Sequence, residues 1–206
     1  MKLHMKVAAL ALALLLPLMA VLPAGTDRGK VLGSPQAPIV MEIFSSFDCP
    51  HCKDLHEEIL PQLMRDYVDK GKLAIVSREF PLTGPYHPYA REAAEYATAA
   101  ARIGKYEQVA DALWKNQAIW GTNGQVWPTV ASVLTASEQR KVQELAKEPG
   151  VVAEVNRDVD QATKDGVNQT PYIFLDVKGK RFPLPPGVPS YAFLSQLLND
   201  QLKNAQ

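Results

Sequence analysis

The two cysteines of the chain, Cys49 and Cys52, are separated by two residues in the stretch FDCPHCKDL. Such a pair can bind a metal, form a structural disulfide or act as a redox dithiol. A disulfide between them closes a very short loop, so it removes little chain entropy and adds little stability. A zinc site needs about four ligands, and the histidines show no paired spacing typical of one. A redox-active dithiol is therefore the favoured interpretation.

The position of the first cysteine predicts an acidic thiol. Cys49 lies where a predicted strand ends and a predicted helix begins, with Pro50 at the first helical position. Unpaired backbone N–H groups and the helix dipole stabilise a thiolate there. His51 can add to this effect, whereas the carboxylate of Asp48, which we expect to be solvated, opposes it. Cys52 lies one turn deeper, so the pair contains one attacking and one resolving sulfur.

A strand–helix–strand unit must position this pair. Residues 37–45 form an apolar run typical of a buried strand, and residues 72–80 form another. Between them, residues 50 to about 70 show the apolar stripe of an amphipathic helix, with an expected kink at Pro61. Such a unit has parallel strands joined by a right-handed crossover.

The remainder of the chain is predicted to be helical and then to return to strands. Helices are expected over 87–104, 105–117, 135–150, 150–166 and 189–202, and strands over 171–177 and 181–184. The flanks are each too small to form a core, so we expect them to share one sheet in an α/β fold. This predicts one sheet-containing domain over 26–80 and 166–206, interrupted by an inserted helical domain over 81–165.

A second signal lies far from the cysteines, in the stretch GVNQTPYIF. Pro171 begins a predicted strand, and Thr170 precedes it. A proline is tolerated at a plain strand start. The sharper hypothesis is a cis proline that packs against the cysteine pair and leaves an open backbone edge for a substrate chain.

Residues 1–25 have the layout of a secretory signal. Lys2 and Lys6 precede an uncharged run rich in Ala and Leu, and small residues follow it. A cleaved signal is favoured over an uncleaved membrane anchor through residues 7–25, because two prolines break the run. Either outcome predicts a periplasmic or other extracytoplasmic location. Charges balance at 22 basic and 22 acidic residues without a basic stripe, which argues against nucleic acid as a partner.

The chain resembles the DsbA-like thiol:disulfide oxidoreductases of the thioredoxin superfamily. The resemblance is carried by VLGSPQAPIVMEIFSSFDCPHC, by FPL followed by HPYAREAAEYA, and by GVNQTPYIF. It implies a thioredoxin fold (βαβ…ββα) with an inserted helical domain. It also implies that Cys49 is the exposed nucleophile, that Cys52 resolves, and that Pro171 is the cis proline beside them. The CPHC tetrapeptide is associated with strongly oxidising members.

Two departures from the family pattern bear on the function. Family members commonly carry a buried Glu six residues before the first cysteine, where this chain has Ile43. The neighbouring Glu42 is a candidate proton relay, although strand alternation turns it to the opposite face; a strand-edge or solvent-facing carboxylate is the alternative. The second departure is Thr170 before the cis proline, a residue type found there in isomerase-type relatives.

The leading hypothesis is an exported enzyme that donates a disulfide to reduced, unfolded client proteins and needs no cofactor. A membrane quinone-linked partner would re-oxidise it, and we expect a monomer. A disulfide reductase or isomerase on the same scaffold is the first alternative, motivated by Thr170. A carrier that binds a soft metal ion through the two thiolates is the second.

Overall fold

The strands of the chain form one mixed sheet. The structure is a computed structural model that describes residues 22–23 and 25–204. Within these residues, five strands are arranged in the order β1–β3–β2–β4–β5. They are β1 (Val31–Leu32), β2 (Ile39–Ser45), β3 (Leu73–Glu79), β4 (Tyr172–Val177) and β5 (Lys180–Pro183). Strands β2 and β3 are parallel, as predicted, and β4 runs antiparallel to β2.

Helices connect the strands in the predicted order. The first helical segment, residues 50–68, joins β2 to β3, and a block of helices joins β3 to β4. The α-helical stretches are α1 (Pro50–Asp54), α2 (Leu60–Leu63), α3 (Ala90–Ala101), α4 (Tyr106–Lys115), α5 (Gln117–Asn123), α6 (Val126–Ala131), α7 (Ala136–Ala146), α8 (Pro149–Lys164) and α9 (Tyr191–Asn204). The predicted order βαβ, helices, ββα is confirmed.

The irregularity expected at Pro61 takes the form of wider turns. The first helical segment is π-helical over Leu55–Ile59 and over Met64–Val68, on either side of the short α2. Proline has no N–H to donate to the preceding turn, and such wider turns accommodate the missing bond without ending the helix. Strand β1 and helices α5 and α6 were not predicted, because each is too short to show a clear period.

The two faces of the sheet carry different contacts. On β2, Met41 and Ile43 pack with Leu55 of the first helical segment in a buried cluster. Glu42 lies between them in sequence and therefore faces the other side of the sheet. Both cysteines belong to a separate buried cluster that includes Leu113 and other residues of the helical block. The cysteine pair thus lies where the end of β2, the first helical segment and the helical block meet.

The described residues also bear on the N-terminal hypothesis. None of their helices has the length and apolar character needed to cross a membrane. The predicted signal or anchor falls on residues 1–25, of which 1–21 and 24 lie outside the described residues.

Candidate active site

Cys49 is the residue from which the first helical segment begins. It occupies the N-cap position with an extended backbone (φ −80°, ψ 120°), and Pro50 follows in the first turn. Proline suits that turn because its missing N–H would have no helical partner there. The Cys52 N–H donates to the Cys49 carbonyl oxygen at 3.1 Å, so the helix begins at this residue and places the N–H groups of its first turn beside the sulfur.

The thiol of Cys49 is strongly acidic. A hydrogen bond from the Cys52 thiol is the largest cause, and it lowers the pKa of Cys49 to about 5 against the opposing effect of burial. The Thr170 side chain and the backbone N–H groups of Cys52 and His51 lower the pKa further. An unperturbed cysteine has a pKa of about 8.5, so the anion is the predominant form of Cys49 at neutral pH.

Cys52 has the opposite character. It is buried, and burial together with hydrogen bonding to Cys49 and the charge there raises its pKa well above the ordinary value. The predicted asymmetry between the two sulfurs is therefore present in their acidity. The exposure expected of Cys49 is not found, because its residue is 5% exposed and Cys52 is 1% exposed. One sulfur is stable as an anion, and the other is stable only with its proton.

The Thr170–Pro171 peptide bond is cis, as predicted from the sequence. The loop that contains this bond lies against the first cysteine, although Cys49 and Thr170 are 121 positions apart in the sequence. The Cys49 thiol donates to the Thr170 carbonyl oxygen at 3.4 Å. The Thr170 hydroxyl is buried and has no hydrogen-bond partner among the described residues. It is therefore available to donate to the sulfur when the thiolate forms.

His51 contributes through its backbone and not through its ring. The imidazole is largely exposed, and its Nδ1 lies 3.6 Å from Asp54 Oδ2. The backbone N–H of His51 is the group that lowers the pKa of Cys49. The support expected from His51 therefore comes from its backbone, and its ring lies in solvent.

Asp48 is not solvated, contrary to the sequence-based expectation. Its side chain is 8% exposed and its Oδ2 lies 2.5 Å from His87 Nδ1. The Ser46 hydroxyl donates to Oδ1 at 2.5 Å and accepts from the backbone N–H of Leu82 at 3.0 Å. This network ties the loop before Cys49 to the connection between β3 and α3. No local pattern predicts this network, because its members are up to 39 positions apart.

Removal of the imidazole from this network should destabilise the protein. In the His87→Ala variant the buried Asp48 carboxylate loses a hydrogen-bond partner, so we expect the free energy of unfolding to fall by about 1–3 kcal/mol. Urea denaturation of the reduced protein measures this. The His51→Ala variant is the matched control, since that ring is exposed and its loss should change stability by less than about 0.5 kcal/mol. Equal losses in the two variants would contradict the assignment.

Gln117 is a site residue that the sequence did not indicate. Its Nε2 donates to the backbone carbonyl oxygens of Phe47 and Cys49, at 2.8 and 3.0 Å. These bonds fix the turn before the first helical segment from the side of α5. The aromatic ring of Phe47 also packs on Trp114, with ring centroids 4.6 Å apart.

The proton-relay hypothesis for Glu42 is wrong on geometry. Its carboxylate is buried on the sheet face opposite the first helical segment, where it accepts from Arg78 Nε at 2.7 Å and from Arg181 Nε at 2.9 Å. Strand alternation sets this facing. The alternative of a solvent-facing carboxylate is wrong as well, since Glu42 is 2% exposed.

A buried ionic cluster lies at the end of β3, between the sheet and the helical block. Lys30 Nζ is 3.1 Å from Glu154 Oε1, 3.3 Å from Asp158 Oδ2 and 3.8 Å from Glu79 Oε1. Asp158 also accepts from Arg78 Nη1 at 3.0 Å. Ion pairs at such burial hold their elements in one arrangement, because a displaced partner would leave an uncompensated charge.

Comparisons with known proteins agree with the fold described above. The family described as Thioredoxin matches residues 25–186. The chain belongs to the thioredoxin family. Its fold within that family is DsbA-like: it superposes on the crystal structure of Wolbachia pipientis α-DsbA1 with a TM-score of 0.70, at 22% identity, over 85% of this chain and 92% of that one. The resemblance stated from the sequence is confirmed, as is the thioredoxin fold with its helical insertion.

Two relatives of this thioredoxin-family chain show how far the similarity extends. One is the Na(+)/H(+) antiporter NhaA 1 of Salinispora arenicola, 32% identical over 163 residues that are 77% of this chain and 23% of that protein. The chain therefore spans about a quarter of that relative's length. The other is the probable disulfide bond formation protein D of Bacillus cereus, 25% identical over 156 residues, with 70% of this chain and 68% of that protein covered.

Proposed function

We propose that this thioredoxin-family chain is a thiol:disulfide oxidoreductase that donates its Cys49–Cys52 disulfide to reduced client proteins. The observation that carries the proposal is the pairing of a stabilised thiolate with a buried thiol that keeps its proton. The name of the Bacillus cereus relative supports the same chemistry.

The proposed reaction has two exchange steps. A client thiolate attacks Cys49 Sγ, which forms a mixed disulfide, breaks the Cys49–Cys52 bond and expels the Cys52 thiolate. Cys52 then takes up a proton. A second client thiolate attacks the client sulfur of the mixed disulfide and expels the Cys49 thiolate. The client gains a disulfide and loses two electrons, and the Cys49–Cys52 pair gains them.

The direction of exchange follows from the acidity of Cys49. A leaving thiolate that is stable in its site departs readily, and a stable reduced form makes the disulfide a stronger oxidant. The reduction potential, measured by equilibration with a glutathione series, is therefore expected to be more positive than about −270 mV, the value of thioredoxin. A potential at or below that value would contradict the oxidising direction. Disulfide transfer to a reduced client protein, lost in Cys49→Ala, tests the activity itself.

The pH dependence of the reduction potential should change slope near pH 5. Above that pH, reduction takes up one proton, at Cys52, because Cys49 stays ionised; below it, reduction takes up two. For a two-electron couple we expect about 30 mV per pH unit above the break and about 60 mV below it. A slope of about 60 mV per unit maintained up to about pH 8 would show that Cys49 is an ordinary thiol.

An isomerase on the same scaffold is the second candidate. The observation that favours it is Thr170 before the cis proline, a residue type found there in isomerase-type relatives. An isomerase would restore activity to a scrambled disulfide protein without added oxidant or reductant, whereas a pure donor of disulfides would not.

Location, partners and domain organisation belong to the same proposal. We propose that the chain works outside the cytoplasm, where thiols are oxidised, and that residues 1–25 direct its export. A membrane quinone-linked protein would return the pair to the disulfide form. The sheet-containing domain, 26–80 and 166–206, would carry the cysteines, and the inserted helical domain, 81–165, would cover them. Fractionation of expressing cells, with N-terminal sequencing of the product, tests the export.

A further inference from the structure

A small cavity adjoins the buried thiol. Its volume is about 50 Å³, and its lining includes Cys52, Ser45 and Ser77 together with the carboxylate residue Glu79 and the phenol of Tyr106. A buried water needs roughly 10–15 Å³ of such space and two to four polar partners. The cavity offers both, so it can carry a proton between the sulfur and a polar group of the sheet.

Glu79 reaches this cavity from the last position of β3. The parallel register pairs Ile43 with Ser77 and Ser45 with Glu79, which places all four side chains on the face that carries the first helical segment. Glu79 is 2% exposed, and its Oε1 accepts from the Tyr106 hydroxyl at 2.9 Å. This is the face from which Glu42 is turned away.

The charges around Glu79 leave it able to exchange a proton near neutral pH. Burial is the largest cause that raises the pKa of Glu79. The ammonium of Lys30 lowers the pKa, the carboxylates of Asp158 and Glu154 raise it, and the resulting pKa is about 7. The Tyr106 hydroxyl donates to the carboxylate and lowers the pKa. A group with such a pKa can both give and accept a proton at working pH.

We propose that Glu79 is the proton relay of Cys52, acting through this cavity; the inference rests on the proposed exchange function. When the client thiolate breaks the Cys49–Cys52 bond, protonated Glu79 gives its proton to the Cys52 thiolate and becomes a carboxylate. In the reverse direction, the Glu79 carboxylate takes the proton of Cys52, and the new thiolate attacks the mixed disulfide at Cys49. Each transfer moves one proton and no electrons.

Two other titratable residues line the same cavity and serve as comparisons. Glu107 is exposed on α4. His56 lies 3.7 Å from Asp111, and burial lowers its pKa. Glu79 differs from both in being buried, whereas Glu107 is exposed and His56 is half-buried.

A rapid-mixing experiment on the full chain separates the relay from the rest of the reaction. Reduced protein is mixed with excess nitrobenzoate disulfide, which releases a coloured thiolate twice. The first, bimolecular phase is attack by the Cys49 thiolate, and the second, first-order phase is attack by Cys52 on the mixed disulfide. Both rates are followed from about pH 5.5 to pH 8.5.

The wild-type second phase is expected to show an inflection near pH 7. In Glu79→Gln, which keeps the side-chain size and an acceptor for Tyr106, we expect that phase to be about 100-fold slower at neutral pH and to lose the inflection. The first phase should be unchanged, which also shows that the variant is folded at the site. Glu79→Asp should retain an inflection, and the matched variants Glu107→Gln and His56→Gln should behave as wild type.

The outcomes distinguish the relay from the function on which it rests. A second phase in Glu79→Gln with the wild-type rate and inflection would overturn the relay alone. The relay would also be overturned if Glu107→Gln or His56→Gln lost the inflection and Glu79→Gln kept it. Absence of both phases in the wild-type protein would overturn the proposed exchange function.

Discussion

Half-maximal ionisation of Cys49 is expected near pH 5 when the reduced protein is titrated by ultraviolet absorbance of the thiolate. At pH 6 about 90% of Cys49 would then be ionised, against about 0.3% of a cysteine with the ordinary pKa of about 8.5. The size of this difference makes the titration the most direct test of the site.

Variants of the same protein separate the causes of this acidity. Cys52→Ala removes the hydrogen bond that contributes most, so the midpoint should rise by about one to two pH units. Thr170→Val removes a hydrogen-bond donor that contributes less, so it should raise the Cys49 midpoint by a smaller amount. His51→Ala is the control, because the backbone N–H that lowers the pKa of Cys49 remains and the ring that is removed is largely exposed. A wild-type midpoint near pH 8.5 would contradict the proposed chemistry.

The same acidity links stability to pH in the reduced protein. The pKa of Cys49 is lower in the folded state than in the unfolded chain, so ionisation favours the folded state. This contribution is complete above about pH 8.5 and is lost as the pH falls through about 5. The disulfide form has no thiol to ionise, and the reduced form should therefore lose stability relative to it on acidification.

Removal of the Lys30 ammonium is expected to cause the largest loss of stability. Lys30 is 2% exposed and lies near three carboxylates, so Lys30→Met leaves Glu79, Glu154 and Asp158 without their shared cation. Breaking a buried ion pair from one side costs about 3–5 kcal/mol. Urea denaturation at about pH 8, with the change in midpoint and slope recorded, measures the loss.

The pH dependence of that loss identifies its cause. Glu79 has a raised pKa in the folded protein, so it is protonated more readily there than in the unfolded chain. Acidification from about pH 8 to about pH 5.5 should therefore relieve part of the repulsion and reduce the defect of Lys30→Met. Lys53→Met is the matched control, since Lys53 forms a partly exposed pair with Glu57 at 3.9 Å and its removal should cost less than about 1 kcal/mol. A defect in Lys30→Met no larger than that of the control would contradict the role of the buried cluster.

Local signals in the sequence predicted much of the fold. Period and composition located β2, β3 and the first helical segment, and the Thr135–Glu138 capping box at the start of α7 forms both of its hydrogen bonds. The spacing of Cys49 and Cys52 at a strand–helix junction predicted their chemistry. These features depend on neighbours within a few positions along the chain, which is why they can be read without coordinates.

The sequence by itself determined the cysteine pair, the elements that hold it and the cis proline opposite it. Only the tertiary structure decided the surroundings of the pair: the burial of Asp48 against His87, the contact of Gln117 with Cys49, and the cavity between Cys52 and Glu79. Lys30 and Asp158, for example, meet across 128 positions. Such partners meet because charge and packing match in three dimensions. A local sequence pattern does not indicate which distant side chain a residue will contact.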